Sequence, residues 1–307
     1  VHVKKRSKSI YRKKPYLKNL FTVGFLFGFG FYLGGISWIS HSLTFDDNFK
    51  IFIPFSIILI PLFLAFFNGL TTLIVGQFIT YNFSSILIFS ASLALSDYIR
   101  SKIMTGFPWN LWAYSWSWFV EIIQLVNLTG LFAFNLISIT LFCIPTVLFF
   151  KKYKFKYLSI FTLILIFLSM YVYGSFKINQ NQKTLTTYLD NQRVNFKVIS
   201  PNLNLNYNLN DEDLLPLLNK MIKYSEPEKD KETVFIWPEG VFTGYYYSDL
   251  LKFKKIIKKS FSEKHIIIFG ANTQGEDLNN FFNSFIVINN NFEILYKYDK
   301  IKLVPFG

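Results

Sequence analysis

Five apolar stretches, each near the ~20 residues that a helix needs to cross a bilayer, occupy most of the first 175 residues of this chain: about 20–40, 51–75, 81–98, 122–150 and 157–175. Acidic and basic side chains are almost absent within them. The charge balance divides at the same place. Residues 1–175 carry 15 Lys/Arg against 4 Asp/Glu, whereas residues 176–307 carry 17 against 15. The first part reads as a membrane region and the second as soluble, with residues 176–192, rich in Asn, Gln and Thr, as the linker between them.

The first stretch is too long for the core of a signal peptide and lacks a small-residue cleavage site, so it reads as a retained span. Its Gly24, Gly28, Gly30 and Gly34 form two overlapping small-xxx-small pairs, a pattern that lets helices approach closely in lipid. Residues 1–19 hold eight Lys/Arg and no acid, and "KKYKFK" at 151–156 holds four more. Four spans lie between these clusters, so both fall on one side of the membrane, and the excess of basic residues makes that side cytoplasmic. The fifth span then delivers residues 176–307 to the outer side. Nucleic-acid binding is disfavoured, because the basic excess flanks membrane spans rather than forming a patch on the soluble part.

The single cysteine, Cys143, lies mid-span in "LFCIPTVLFF" and reads as a small buried hydrophobe, since a nucleophilic thiol needs an electropositive, partly exposed site. His2, His41 and His265 show no metal-ligand spacing. Between the third and fourth spans, "TGFPWNLWAYSWSW" (105–118) holds four of the six tryptophans. It reads either as an interfacial aromatic belt or as a membrane-level vestibule through which a lipid tail reaches the soluble site. Gly106 and Pro108 argue against continued helix, and non-helical backbone at this depth is tolerated only against protein or a water-filled cavity. Asp97 and Arg100, just before it, are either a local helix-end pair or part of that cavity.

Beyond residue 192 the pattern alternates: strand at 194–200, helix at 211–224, strand at "TVFIWP", helix at 247–260, strand at "HIIIFGA", then "NSFIVI" and "FEILYKYDKIKLV" as hairpin-like strands. Short apolar runs interleaved with helices predict an α/β layer structure. The lysines of "LKFKKIIKK" read as a solvated helix face, and Ser284 as a strand residue with no nucleophile-elbow pattern around it. Glu239 follows "VFIW" and Pro238, which puts it at the C-terminal end of a strand, where α/β sheets form their crevice. There a carboxylate beside aromatic neighbours has reason to be a tuned proton acceptor. Tyr298, Lys300 and Lys302 alternate onto one strand face. A lysine near that carboxylate is either a structural ion pair or a clamp for a developing oxyanion.

"WPE" after a strand, followed some sixty residues later by "YDKIKLVPFG", resembles the nitrilase, or carbon-nitrogen hydrolase, superfamily. With "GFLFGFGFYLGGISWI", "TGFPWNLWAYSW" and "QLVNLTGLFAFNLI" in the same chain, the resemblance narrows to the membrane branch, the apolipoprotein N-acyltransferases, and covers nearly the whole sequence. It implies a multi-span α-helical membrane domain (20–175) after a basic cytoplasmic segment (1–19). An α/β nitrilase-like domain of αββα sandwich type follows, of which 193–307 is the N-terminal part. It also implies a Glu-Lys-Cys catalytic set, with Glu239 as general base and Lys300 as oxyanion partner; Lys302 falls where the motif does not require lysine. Gly106, Phe107, Pro108, Trp109, Trp112 and Trp116 become the lipid vestibule.

The implied reaction moves an acyl chain from a phospholipid to the N-terminal amine of the lipid-modified cysteine of a lipoprotein, through a cysteine thioester. It takes place at the outer face of the bacterial inner membrane, with no cofactor or metal. The nucleophilic cysteine of the family lies downstream of "LVPFG", a motif normally followed by glutamate. The family also has further spans at both ends, and this sequence begins at Val1 and stops at Gly307. The expectation is therefore a chain cut at both ends and inactive alone. Ser200 before Pro201 and Asn202, where the family often has Gln, leaves the assignment intact. A membrane-tethered amidase and a non-catalytic membrane protein, with Glu239 and Lys300 as a structural pair, are the competing expectations.

Overall fold

The structure, a computed structural model, describes residues 16–45, 47–103, 106–151, 153–190, 194–203, 210–242, 244–275 and 280–301. The chain divides into two compact units, Val1–Leu185 and Thr186–Gly307. Lys302 and the "LVPFG" motif lie outside the described residues.

In the first unit, α1 (Tyr16–Ile36) packs along α2 (Ile53–Val75) more extensively than any other pair of elements. Small residues make this possible. A Cβ on Gly24 would run into Thr72 and the Asn68 carbonyl, and one on Gly28 would lie 2.8 Å from the Asn68 side chain. The close approach lets Thr72 Oγ1 donate to the Leu20 carbonyl at 2.9 Å across the pair. Gly30 and Gly34 have open space beside them, so only the first glycine pair serves helix contact. Helix α3 (Phe83–Arg100) begins at Asn82, whose Oδ1 accepts from the Ser85 amide at 2.9 Å, an N-cap that satisfies a first-turn donor.

Among the described residues, four helical segments are long and apolar enough to cross a membrane: Leu17–Thr44, Asp47–Val75, Leu131–Phe149 and Lys156–Thr187. The expected third span, 81–98, forms as α3, but five serines with Asp97 and Arg100 make it the least apolar. The fourth, expected over 122–150, is not one helix. Short turns α4 (Val120–Ile123) and α5 (Val126–Thr129) end at Gly130, whose φ of 75° and ψ of 164° break the helical path before α6 (Leu131–Cys143) begins. The polar stretch 176–192 was expected to be a linker. It is helical to Asp190, as the continuation of α7 (Lys156–Asp190). Its Lys and Gln side chains are good helix formers, and Thr184 back-bonds to the Gln180 carbonyl at 3.0 Å.

The second unit is a five-stranded sheet in the order β1 (Asn195–Val198), β2 (Thr233–Ile236), β3 (His265–Gln274), β4 (Phe281–Ile288), β5 (Ile294–Asp299). The first three strands run parallel and the last two are antiparallel additions. One face is covered by α8 (Leu214–Ser225), α9 (Tyr247–Leu250) and α10 (Lys254–Ser260). The strand residues Phe235, Ile267, Phe269 and Ile286 pack there against Leu214, Leu218, Met221, Leu250 and Ile257. Burying each such side chain contributes about 1.5 to 3 kcal/mol. The alternate strand positions form the other face, where Phe196, Val198, Phe285, Tyr296 and Tyr298 stay exposed. The observed layers are thus one helical and one sheet layer, half of the αββα arrangement that the resemblance implies. The helix expected over 247–260 is divided by a 3-10 turn at Leu251–Phe253.

Candidate functional site

A cavity of about 340 Å³ opens on the less covered face of the sheet, at the C-terminal ends of the parallel strands. Glu239, Tyr298 and Lys300 all line it, together with Ile236, Ile268, Gly270, Asn283, Ser284 and Phe285. Glu239 reaches it because both of its flanks are anchored. On one side, Trp237 extends the β2–β3 ladder by donating to the Ile268 carbonyl at 2.8 Å, and its indole Nε1 donates to Ser225 Oγ at 2.9 Å. On the other side, Val241 and Phe242 are buried in the core. Gly240 adopts a φ of 70°, which turns the chain between these anchors and leaves the Glu239 carboxylate exposed.

Lys300 is held from the opposite side of the cavity. Its backbone N–H donates to the Asn283 carbonyl at 2.9 Å, one residue beyond the end of β5. Beneath that point, Thr273 and Ser284 Oγ lie 2.6 Å apart, and Ser284 donates to Asp299 Oδ1 at 2.5 Å. Because Ser284 uses its proton on the carboxylate, Thr273 is the donor to Ser284. The Ser284 hydroxyl, with Lys297 at 3.1 Å, holds the Asp299 carboxyl below the usual carboxylate range. Among the described residues no ion pair joins Glu239 to Lys300, so the structure offers no support for a structural pair. The two stand exposed on one cavity, a carboxyl and an amino group lining the same space.

In the first unit, the segment from Gly106 to Leu111 is non-helical, as Gly106 and Pro108 predict, and Trp112–Trp116 is a single 3-10 turn. Gly106 has a φ of 93° and Asn110 of 58°. Arg100 is 1% exposed. Its Nη1 donates to the Phe107 and Trp109 carbonyls at 2.7 and 2.8 Å, and its Nη2 to Asp97 at 3.1 Å. Asn135 of α6 donates to the other Asp97 oxygen at 3.0 Å and accepts from the Ala113 amide at 3.1 Å. Asp97 and Arg100 are therefore more than a helix-end pair. Losing one partner of such a buried pair costs about 3–5 kcal/mol. Trp109 packs tilted against Trp38 with ring centroids 4.8 Å apart, and Trp112 lies on Phe31 at 4.6 Å. Trp116 lies on Phe142 at 5.1 Å. Trp116 also borders an apolar cavity of about 400 Å³ with Phe142, Leu163, Phe167 and Leu168.

Residues 9–144, which include this loop, match the family described as the apolipoprotein N-acyltransferase N-terminal domain. Curated relatives carry the similarity into the second unit. The apolipoprotein N-acyltransferase of Allorhizobium ampelinum is 24% identical over 300 residues, 95% of this chain and 55% of that protein. That of Rickettsia prowazekii is 28% identical over 289 residues, 92% of this chain and 56% of that protein. The chain is thus similar to apolipoprotein N-acyltransferases over nearly its whole length. It spans about half the length of these relatives. Among solved structures, a crystal structure of an N-terminal amidase with an Asn-Glu-Ala peptide covers 34% of this chain and 27% of its own, at 20% identity and a TM-score of 0.23.

Asn135 and Asn283, with the Ser284–Asp299 bond, are the parts of the architecture that sequence reading missed. Asn135 had a signal: a polar amide within "LFAFNLISITLFC" has to find a partner in the membrane. Asn283 and Asp299 had none, because their roles depend on strand register.

Proposed function

We propose that the protein takes part in transfer of an acyl chain from a phospholipid to the α-amine of a lipid-modified N-terminal cysteine, with Glu239 and Lys300 as its acid–base and oxyanion groups. The observation that carries this reading is their convergence on one cavity without an ion pair between them. A covalent route through a cysteine thioester splits one difficult acyl transfer into two easier ones and needs neither nucleotide nor metal. In the first half, Glu239 takes the thiol proton, the thiolate attacks the ester carbonyl, and the C–O bond breaks as the proton passes to the leaving alcohol. In the second, the amine attacks the thioester while giving a proton to Glu239, and the C–S bond breaks to restore the thiol. Lys300 faces the oxyanion in each half, one such donor being worth about 3 to 4 kcal/mol. Cys143 is absent from the cavity lining, and the thiol in this scheme is the cysteine that the resemblance implies downstream of "LVPFG".

The tryptophan loop and the apolar cavity beside Trp116 supply what a lipid donor needs: an aromatic interface and space lined by hydrocarbon. The two basic clusters support a reading with residues 1–19 and 151–156 on the cytoplasmic side and the second unit on the outer side of a bacterial inner membrane. A water-poor site protects a thioester from hydrolysis, which is a physical reason to build it against a bilayer.

The test uses the protein expressed from its own gene, reconstituted with phospholipid carrying a labelled acyl chain and a diacylglyceryl-cysteine peptide. Label released from the protein by hydroxylamine, and label in amide linkage on the peptide, are the expected results. Hydrolysis of simple amides with no acyl transfer from phospholipid would instead assign a membrane-tethered amidase.

A further inference from the structure

Arg100 is the largest fully buried side chain among the described residues, and the chemistry above does not use its guanidinium. Its environment differs from that of a charge merely neutralised by a neighbour. One Nη1 reaches two carbonyls of a non-helical segment, which have no backbone ladder to satisfy them. The Phe107 amide donates back to the Arg100 carbonyl at 3.2 Å. The guanidinium also lies over the rings of Tyr32 and Phe107, at 5.3 and 5.9 Å from their centroids. Asp97 continues the chain of bonds to Asn135, and Asn135 holds the Ala113 amide on the far side of the loop. The segment between Phe107 and Ala113 is therefore gripped at both ends by one connected polar network.

We infer that Arg100 is the positioning residue of the tryptophan loop: by holding the Phe107 and Trp109 carbonyls it sets where Trp109 stands against lipid. This rests on reading the loop as a lipid vestibule. The role requires a planar, multi-donor cation, since a point-charge ammonium cannot reproduce the fork that serves the Asp97 carboxylate and two carbonyls together.

The full chain, labelled with 5-fluorotryptophan and placed in phospholipid nanodiscs, provides the test. Its six tryptophans give separate resonances, and Trp109→Phe assigns the one of interest. The Asp97→Asn/Arg100→Gln double variant removes both charges, so no unpaired ion is left buried. The Trp109 resonance is expected to shift and broaden in this variant, while those of Trp116 and Trp237 stay in place. Asn135→Ala, which keeps the ion pair, is expected to give part of the same shift. An unmoved Trp109 resonance in the double variant would overturn the proposal, because Arg100 would then serve only to neutralise Asp97. Should the double variant displace Trp116 as well, Arg100→Lys, which keeps the charge and loses the fork, decides, and an unmoved Trp109 there overturns the proposal equally. Relaxation of Trp109 by headgroup-proximal spin-labelled phospholipid reads the vestibule separately. If the wild type shows none while the double variant still shifts Trp109, the vestibule reading falls and the clamp stands.

Discussion

The Ser284 hydroxyl donates to the Asp299 carboxylate at 2.5 Å, directly across the β4–β5 pair, and the next residue on each strand supplies the bond from Lys300 N–H to the Asn283 carbonyl. Two consecutive residues of β4 thus fix the place where Lys300 leaves the sheet. Ser284→Ala leaves the buried Thr273 hydroxyl without its acceptor and is expected to destabilise the second unit by about 1–3 kcal/mol. The folded-state pKa of Asp299 is lowered, chiefly by Ser284. The bond's contribution is therefore present above the unfolded carboxylate value of about 4 and is lost as pH falls through the lower folded value. Thermal melts as a function of pH should show the wild-type advantage over Ser284→Ala shrinking below about pH 4. An advantage that is constant with pH would show that the carboxylate is not the partner that matters.

Glu239 and Lys300 are both exposed. Glu239→Gln and Lys300→Met should therefore change stability by no more than about 0.5 kcal/mol, yet each should lower acyl-enzyme formation by about 10²–10³-fold or more. Hydroxylamine-sensitive labelling by phospholipid, measured beside a thermal melt, separates the two effects. Normal labelling in either variant would remove that residue from the mechanism.

The glycines of α1 should not be equivalent. Gly24→Leu places a side chain against Thr72 and the Asn68 carbonyl, forcing α1 from α2 and breaking the Thr72 bond to Leu20. Overpacking of this kind costs about 1–3 kcal/mol. Gly30→Leu meets open space and should be tolerated. Unfolding of the two variants in detergent, compared side by side, checks the contrast; equal losses would mean that the helices pack on another face.

Topology is tested by fusing a reporter after Asp190, the last residue of α7. The basic clusters at 1–19 and 151–156 predict activity for a reporter that folds only outside the cytoplasm. Activity from a cytoplasm-only reporter at that point would invert the orientation.

Much of the local structure was legible in order along the chain. Hydropathy marked the spans, the alternation of strand and helix marked the second unit, and the position of Glu239 after "VFIW" placed it at a strand end before any fold was known. These features depend on residues within a few turns of one another. The break at Gly130 and the helical run through 176–190 were misread for the same reason: mean composition does not report a single positive φ, nor does polarity alone end a helix whose residues favour it.

Sequence by itself thus determined the partition between lipid and water, the order of elements and the two charged candidates, because burial free energy and backbone preference are set residue by residue. Tertiary structure alone decided that Glu239 and Lys300 share a cavity without pairing, that Ser284 meets Asp299, and that Asn135 joins Asp97 and Arg100 to the tryptophan loop. Each of these depends on strand register or helix packing between segments far apart in the chain. A hydrogen bond is set by distance and angle within tenths of an ångström, a precision that no one-dimensional pattern carries.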